Sequence, residues 1–241
     1  MPHYMPHPTP HTCHTPHALT PVQKASGYPT PTYRRPQSTT RRICSPPTSP
    51  VQYAAPKMFY FGIDQSLTST GVAVITDEKP ARTAYVGRIA TKKLRGVLRL
   101  AFIRDGLREA LRTFPGTVLA ALEGYSMGSG GRWYDLGEVG GLVRLTLHDA
   151  GIPTVIVPPT TLKLFVAGDG AADKDAMRQA VLDKWGQDIP QDDECDAYGL
   201  AQLARSFHLN TGTTRAELEV IKKLKAPVKD NFLSATLPKD K

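Results

Sequence analysis

The sequence predicts an α/β domain built on a mixed five-stranded sheet, with three antiparallel strands, then two parallel ones, and helices on its faces. Three short runs rich in β-branched and aromatic residues follow one another between residues 59 and 89, which is typical of an antiparallel meander. From residue 94 onward, segments of helical period alternate with two further apolar runs. Such alternation requires crossover connections and therefore favours parallel pairing of the last two strands.

Residues 1–57 differ in composition from the rest of the chain. They hold 13 of the 21 prolines, 5 of the 7 histidines and six basic side chains, but no Asp or Glu. A segment with so few apolar runs cannot bury enough surface to offset the entropy of ordering it. We therefore expect a disordered basic tail, or an over-long start that precedes a functional protein beginning at Met58. This segment carries +6 of the formal +8, so the remaining residues carry only +2.

The composition also bears on location. The N-terminal segment lacks the apolar core of a signal peptide, and no apolar run reaches the length of a membrane span. The three cysteines, Cys13, Cys44 and Cys195, show neither a disulfide framework nor metal-ligand spacing. We expect a protein of the reducing cytoplasm that does not contact a membrane.

The elements of the domain, predicted over residues 58–210, follow from periodicity and breakers. The predicted strands cover residues 59–64, 71–75, 83–89, 117–123 and 153–157. Helices are predicted over 94–114 and 134–150, around Lys163, from Asp173, and over 193–207. Residues 211–241 are expected to form a short charged helix, Arg215–Lys225, and a polar C-terminal tail.

The predicted helix 94–114 has one apolar face that includes Val97, Leu100, Ile103 and Leu107. Its five arginines, at positions 95, 99, 104, 108 and 112, lie off that face. A set of this kind either forms a nucleic-acid surface or is a solvated face, and the solvated face is the favoured interpretation.

Four carboxylates stand where strands end or a helix begins. Asp64 and Glu123 close two strands that should be neighbours, and Asp193 and Asp196 share one face of the last long helix because they are three residues apart. Asp64 alone could simply cap its turn. Together, four acids at the carboxyl edge of a sheet would raise one another's pKa unless a hard cation offset them. Such a site suits two Mg²⁺ ions and phosphodiester chemistry.

The chain from about Met58 to Phe207 resembles the RuvC Holliday junction resolvases of the RNase H-like superfamily, and most closely their bacteriophage-type members. The resemblance rests on motifs that occur in the family's order. They are GID at 62–64 with Thr70-Gly71, LEG at 122–124, LGEVGG at 136–141, PPTTLKLFVAGDGAADK at 158–174 and DECDA at 193–197.

The resemblance implies an RNase H-like fold and a Mg²⁺-dependent endonuclease that cleaves branched DNA such as four-way junctions. It assigns catalysis and metal binding to the four carboxylates Asp64, Glu123, Asp193 and Asp196. Two metal ions per site are implied, with Mn²⁺ as a substitute, and a homodimer formed through the helix that carries LGEVGG.

The resemblance also implies three DNA contacts. Lys163 and Lys174 match basic residues beside the scissile phosphate, although Lys174 could also be a surface lysine in a first helical turn. The family often places an aromatic wedge three residues after the catalytic Glu, where this chain has Ser126. Tyr125 is the nearest aromatic residue and is the predicted stacking residue.

Three alternative functions remain open on the sequence. GIDQSLTSTG also resembles the first phosphate loop of actin-like sugar kinases and ATPases, but residues 58–241 are too few for the two lobes of that fold. A non-catalytic DNA-binding protein on the same scaffold should have lost at least one acid. A nuclease of the same fold that acts on RNA–DNA hybrids is disfavoured by the lysine-bearing block.

Overall fold

The computed structural model describes residues 57–125 and 133–226. The predicted tail, Ser126 and the polar C-terminal end lie outside these residues. The strands are β1 (Phe59–Asp64), β2 (Ser69–Thr76), β3 (Thr83–Ala90), β4 (Thr117–Glu123) and β5 (Thr154–Val157). The helices are α1 (Gly96–Thr113), α2 (Trp133–Asp149), α3 (Pro159–Ala167), α4 (Lys174–Trp185), α5 (Asp192–Leu209) and α6 (Arg215–Lys225).

The five strands form one sheet in the order β3-β2-β1-β4-β5. The first three strands pair antiparallel, and β1–β4 and β4–β5 pair parallel. This is the predicted mixed sheet, so the fold class is confirmed. β2 begins two residues earlier than predicted because Ser69 and Thr70 pair with the end of β3.

Each face of the sheet carries its own core. Alternate residues of β1 and β4 point to opposite faces, as the pleat of a strand requires. Phe61, Ile63 and Leu122 pack with α1 and α2 on one face. Tyr60 and Ala121 pack with α3, α4 and α5 on the other. The sheet therefore lies between two helical layers, and its carboxyl edge is the place where side chains from both cores end.

Helix α1 departs from its predicted faces in two positions. Val97 is 78% exposed, although it was assigned to the apolar face. Arg99 is only 5% exposed, although it was assigned to the solvated one. The Arg99 guanidinium curls back to donate to the Leu94 carbonyl and lies 3.8 Å from the Asp135 carboxylate on α2. A long stem with satisfied donors can be buried at little cost, and a hydropathy pattern does not capture this.

Helix α6 shares the core on the α5 side of the sheet. Val220 belongs to that core cluster. The buried Glu217 accepts hydrogen bonds from Lys184 and from the Thr213 backbone and hydroxyl. These contacts hold α6 against the domain that the sequence assigned to residues 58–210. Among the helices described, none has the length and apolar character needed to cross a bilayer.

Candidate active site

The pleat of the sheet sends the two strand-terminal acids to the same face. On β1, Asp64 has the parity of Tyr60, and on β4, Glu123 has the parity of Ala121. Both acids therefore project toward α5. Because Ile63 pairs with Leu122 in parallel register, the next residues, Asp64 and Glu123, stand side by side at the edge.

Two glycines let α5 lie directly against the sheet. A Cβ atom at Gly62 would lie 1.9 Å from the Ala197 carbonyl oxygen, and one at Gly71 would lie 1.9 Å from the Asp193 carbonyl oxygen. Any side chain at these positions would overlap helix backbone, so the close approach requires glycine. This contact brings Asp193 and Asp196, in the first turns of α5, up to Asp64 across β1 and β2.

Burial and neighbouring carboxylates raise the pKa of Asp64 and of Asp196. Burial raises the pKa of Asp64 well above its ordinary value, and Glu123, Asp196 and Asp193 raise it further. The Asp64 carboxyl shares a hydrogen bond with Glu123, which acts as the charged acceptor. Burial, followed by Glu123 and Asp192, raises the pKa of Asp196 to about 7. The four predicted acids thus lie within electrostatic range of one another, and burial and neighbouring carboxylates disfavour the charged forms of Asp64 and Asp196.

Both predicted lysines interact electrostatically with acids of the site. Lys163 lowers the pKa of Glu123 and of Asp196, in each case against the larger effect of burial. Lys174 is the first residue of α4, and its side chain is 76% exposed. The Asp192 hydrogen bond and the negative charge of Asp193 and Asp196 raise the Lys174 pKa. The structure therefore brings together the four acids and both lysines.

Asp192 is a member of the site that the sequence interpretation missed. Its carboxylate accepts from the Lys174 ammonium at 2.5 Å and from the Arg178 guanidinium at 2.7 Å. In the sequence it is one of several acids at a helix N-terminus, where acids are common for helix-dipole reasons. The run Gln191-Asp-Asp-Glu-Cys-Asp196 contains Asp192, but only its contacts with Lys174 and Arg178 on α4 distinguish it from the neighbouring acids.

Tyr125 follows β4 and is 40% exposed. Its hydroxyl donates to the Gly137 carbonyl at 3.3 Å and accepts from the Arg144 guanidinium at 2.5 Å. The same guanidinium lies 5.1 Å from the centre of the ring. Tyr125 is therefore fixed to α2 by its hydroxyl end, while the rest of its ring borders solvent beside the end of β4.

Gln65 is a second residue for which the sequence gave no signal. It follows Asp64 and is 7% exposed. Its Nε2 donates to the Glu123 backbone carbonyl at 2.9 Å. Its Oε1 is buried without a hydrogen-bond partner. A glutamine in a Ser/Thr-rich turn is expected to be exposed to solvent. The contact joins residues that are 58 positions apart in the sequence, so a local pattern could not predict it.

The donor set of the site fits a divalent cation. Among the described residues, no three acidic, histidine or cysteine side chains converge closely enough to form a ready-made metal centre. The raised pKa of Asp64, caused by burial and by Glu123, Asp196 and Asp193, indicates that negative charge is poorly compensated at this edge of the sheet. A hard cation with oxygen ligands would take over that charge compensation, and carboxylate oxygens are the ligands it prefers. Burial raises the pKa of the neighbouring Cys195 thiol to about 12, which removes it as a nucleophile or ligand near neutral pH.

Known proteins share this fold and much of this sequence. The chain is 30% identical over 148 residues to a crossover junction endodeoxyribonuclease RuvC of Prochlorococcus marinus, which covers 60% of this chain and 96% of the relative. It is 32% identical over 151 residues to the RuvC of a Synechococcus strain, with 61% and 97% covered. The Thermus thermophilus RuvC structure superposes with a TM-score of 0.56 at 24% identity, covering 64% of this chain and 98% of that one.

The family model described as Crossover junction endodeoxyribonuclease RuvC matches residues 60–203. That match runs from β1 into α5 and includes all four carboxylates and both lysines. With this extent of match, and with relatives aligned over nearly their whole length, the chain belongs to the RuvC family.

Proposed function

We propose that the protein is a divalent-metal-dependent endonuclease that resolves branched DNA such as Holliday junctions. The observation that carries the proposal is the placement of Asp64, Glu123, Asp193 and Asp196 at one edge of the sheet, where burial and neighbouring acids raise the pKa of Asp64 and Asp196 and a cation would stabilise their charged forms. The relatives' name, crossover junction endodeoxyribonuclease, supports the substrate class. Membership in this family favours a nuclease over the sugar-kinase alternative.

Asp64, Glu123, Asp193 and Asp196 would hold the metal, which we propose to be two Mg²⁺ ions with Mn²⁺ as a substitute. When bound, such ions supply an activated water and stabilise charge on the phosphate oxygens. Lys163 and Lys174 would bind the phosphates that flank the cut. The exposed part of the Tyr125 ring would stack on an unpaired base at the branch point.

The test is a cleavage assay with four substrates, namely a mobile four-way junction, a Y-fork, a duplex and an RNA–DNA hybrid. We expect the wild type to cut the junction in Mg²⁺ or Mn²⁺ and not in EDTA, leaving 5′-phosphate ends. Asp64→Asn should bind the junction at least as tightly but not cut it, because the substitution removes a metal-holding charge and leaves the shape intact. Cutting by Asp64→Asn at near the wild-type rate would place the active site elsewhere.

The same assay separates the remaining alternatives. A non-catalytic DNA-binding protein would bind the junction in both forms and cut with neither. A hybrid-specific nuclease would prefer the RNA–DNA substrate. Paired cuts in opposing strands of the junction distinguish a resolvase from both.

We further propose that the protein acts as a homodimer. Helices α1 and α2 carry six exposed apolar or aromatic side chains, Val97, Leu98, Phe102, Trp133, Tyr134 and Leu145. Exposed apolar patches of this kind mark interaction sites, and a second copy of the chain would supply the second active site needed for paired cuts. Sedimentation should give a dimer for the wild type and a monomer for Leu145→Asp. A monomeric wild type at working concentration would contradict the proposal.

The setting of the reaction is also proposed. A DNA substrate and a buried free thiol at Cys195 support a cytoplasmic protein. The assignment to the bacteriophage-type members rests on the motif block at residues 158–174, and the relatives named above are bacterial.

A further inference from the structure

The segment on either side of Glu123 is held by two side chains that the proposed chemistry does not use. Gln65 donates from Nε2 to the Glu123 backbone carbonyl at 2.9 Å. Two residues beyond Glu123, the Tyr125 hydroxyl is engaged by Arg144 and by the Gly137 carbonyl of α2. β1 pairs with β4 only as far as Ile63, so Gln65 supplies a side-chain hydrogen bond to β4 after the ladder has ended.

These two contacts meet at a single glycine of α2. A Cβ atom at Gly140 would lie 2.2 Å from the Tyr125 hydroxyl oxygen and 2.6 Å from Gln65 Oε1. Both polar groups therefore rest on the bare backbone of Gly140. Gln65 therefore contacts the backbone of Glu123 directly, Tyr125 anchors the chain two residues further on, and both side chains lie against Gly140 of α2.

The Gln65 amide is not explained by stability alone. Its oxygen is buried and has no hydrogen-bond partner among the described residues. A buried polar group without a partner costs about 1–3 kcal/mol. The amide orientation is fixed, because only the nitrogen can donate to the Glu123 carbonyl, so the oxygen is the atom that must remain unpaired. A residue retained in a destabilising arrangement beside an active site suggests a functional role.

We propose that Gln65 is a positioning residue that orients Glu123 for metal binding. It does so together with Tyr125, whose hydroxyl lies against the backbone of Gly140. This rests on the proposed function of the acidic cluster. It adds Gln65, which touches neither metal nor DNA in that scheme, and it gives Tyr125, proposed above to stack on a base, a second role through its hydroxyl. Gln65 acts through the backbone of Glu123 and through α2. Outer residues that orient metal ligands change metal affinity or activity by about 10- to 100-fold when they are replaced.

The test measures metal binding directly, in full-length protein without DNA. Mn²⁺ affinity is determined by electron paramagnetic resonance for the wild type and for Gln65→Met, which has nearly the same volume but lacks the amide. Gln187→Met makes the same chemical change at a residue that accepts only from Thr83, far from the cluster. We expect Gln65→Met to weaken Mn²⁺ binding about 10-fold or more, and Gln187→Met to leave it within about twofold.

Thermal unfolding without metal separates positioning from folding. Gln65→Met removes an unpaired buried oxygen but also removes the hydrogen bond from Nε2 to the Glu123 carbonyl. Because the two effects oppose each other, its melting temperature should stay close to that of the wild type. Weaker Mn²⁺ binding at undiminished stability supports the proposal. Unchanged Mn²⁺ affinity, or a loss that is matched by a fall in melting temperature, overturns it.

A second variant reaches the same contacts from α2. Gly140→Ala must displace the Tyr125 hydroxyl and Gln65 Oε1, although alanine favours the helix by about 1 kcal/mol. Gly141→Ala gains the same helix propensity, and nothing lies within 4 Å of its Cβ position. We expect weaker Mn²⁺ binding in Gly140→Ala than in Gly141→Ala. Equal Mn²⁺ affinities of the two variants would show that the contact of Gln65 and Tyr125 with Gly140 does not position Glu123. Because the readout is metal binding, a wild type that binds Mn²⁺ but fails to cut junctions would refute the proposed function without deciding this inference.

Discussion

At the scale of single residues, the site is a set of acids that are unfavourable neighbours until something neutralises them. Asp64 is buried and shares a hydrogen bond with Glu123, and the pKa of Asp196 is raised to about 7. In the folded protein these groups hold protons more tightly than they do in the unfolded chain. The cluster is therefore a source of instability near neutral pH that a cation would remove.

The first prediction concerns this instability. Between about pH 4 and pH 7 the folded state binds more protons than the unfolded state, so the free energy of unfolding should fall as pH rises. In EDTA, the melting temperature should be a few degrees higher at pH 5 than at pH 7.5, since about 1 kcal/mol corresponds to roughly 2–4 °C in a domain of this size. Adding Mg²⁺ at pH 7.5 should raise the melting temperature to about its value at pH 5.

The control is Asp196→Asn, which should flatten the dependence because it removes a group that titrates in this window. Glu217 does not interfere with this comparison. Its pKa is lowered by the Thr213 backbone amide and by Lys184 against the effect of burial, so its titration changes the free energy of unfolding at a more acidic pH than the range compared. A wild-type protein whose stability in EDTA rises steadily from pH 5 to pH 7.5 would show that the acids are not coupled as described.

The second prediction concerns the pair formed by Lys174 and Asp192. Lys174→Ala should weaken junction binding several-fold and reduce the salt dependence of binding by about one phosphate contact. Its melting temperature should change little, because an ion pair that involves a solvent-exposed lysine contributes little to stability. Asp192→Asn is the matched variant, and it should bind as tightly as the wild type or more tightly because it frees Lys174 from its acid partner. A large loss of melting temperature in Lys174→Ala at unchanged affinity would make the lysine structural.

At the scale of elements, the decisive contact is the docking of α5 on β1 and β2. The helix carries two of the four acids, and the strands carry no side chain where its backbone touches them. The distance between Asp64 and the acids of α5 is therefore set by backbone contact rather than by adjustable side chains. A helix seated in this way holds the acids rigidly, which suits a site whose ligands must keep their spacing.

The third prediction tests that contact. Gly71→Ala should destabilise the protein by about 3 kcal/mol, the upper end of the cost of overpacking, because its Cβ atom would meet the Asp193 backbone. Cleavage should be lost as well, since α5 must move away. Ser69→Ala on the same strand removes a buried hydroxyl that has no partner, so it should leave stability equal or slightly higher. Chemical denaturation of both variants gives the comparison, and a Gly71→Ala protein as stable as the wild type would refute the contact.

At the scale of the whole molecule, the globular part and the N-terminal segment have different charge. Residues 1–57 carry six basic side chains and no acids, and the family match begins only at residue 60. Such a segment can bind any DNA by releasing counterions. The rest of the chain is nearly neutral, so preference for a branched substrate must come from the shape and chemistry of the site rather than from net charge.

The fourth prediction follows from this separation. A protein of residues 58–241 should still cut junctions at low salt, but it should bind plain duplex less tightly and with a shallower salt dependence than the full chain. The ratio of junction to duplex affinity should rise or stay level. Binding across a salt series on both substrates checks this, and a shorter protein that folds but cannot cut would make residues 1–57 part of the enzyme.

Periodicity and strand ends were enough to predict the mixed sheet and the adjacency of Asp64 and Glu123, because both depend on local pattern plus parallel pairing. The catalytic role of the four acids stays a prediction. They could not predict Asp192, because three neighbouring acids look alike until the rotation between α4 and α5 is known. Gln65 was missed because its partner is a backbone carbonyl on another strand. The burial of Arg99 depended on one side-chain rotamer that reaches the Leu94 carbonyl.

The docking of α5 also determines the point during synthesis at which the set of four acids is completed. A ribosome delivers β1 to β4 well before residues 192–209, so the nascent chain first exposes Asp64 and Glu123 without their partners. A chain that ended before α5, through a premature stop or proteolysis, would carry Asp64 and Glu123 but would lack Asp193 and Asp196. Only a chain synthesised at least through α5 could cut DNA, which would protect the genome from incomplete copies of the enzyme.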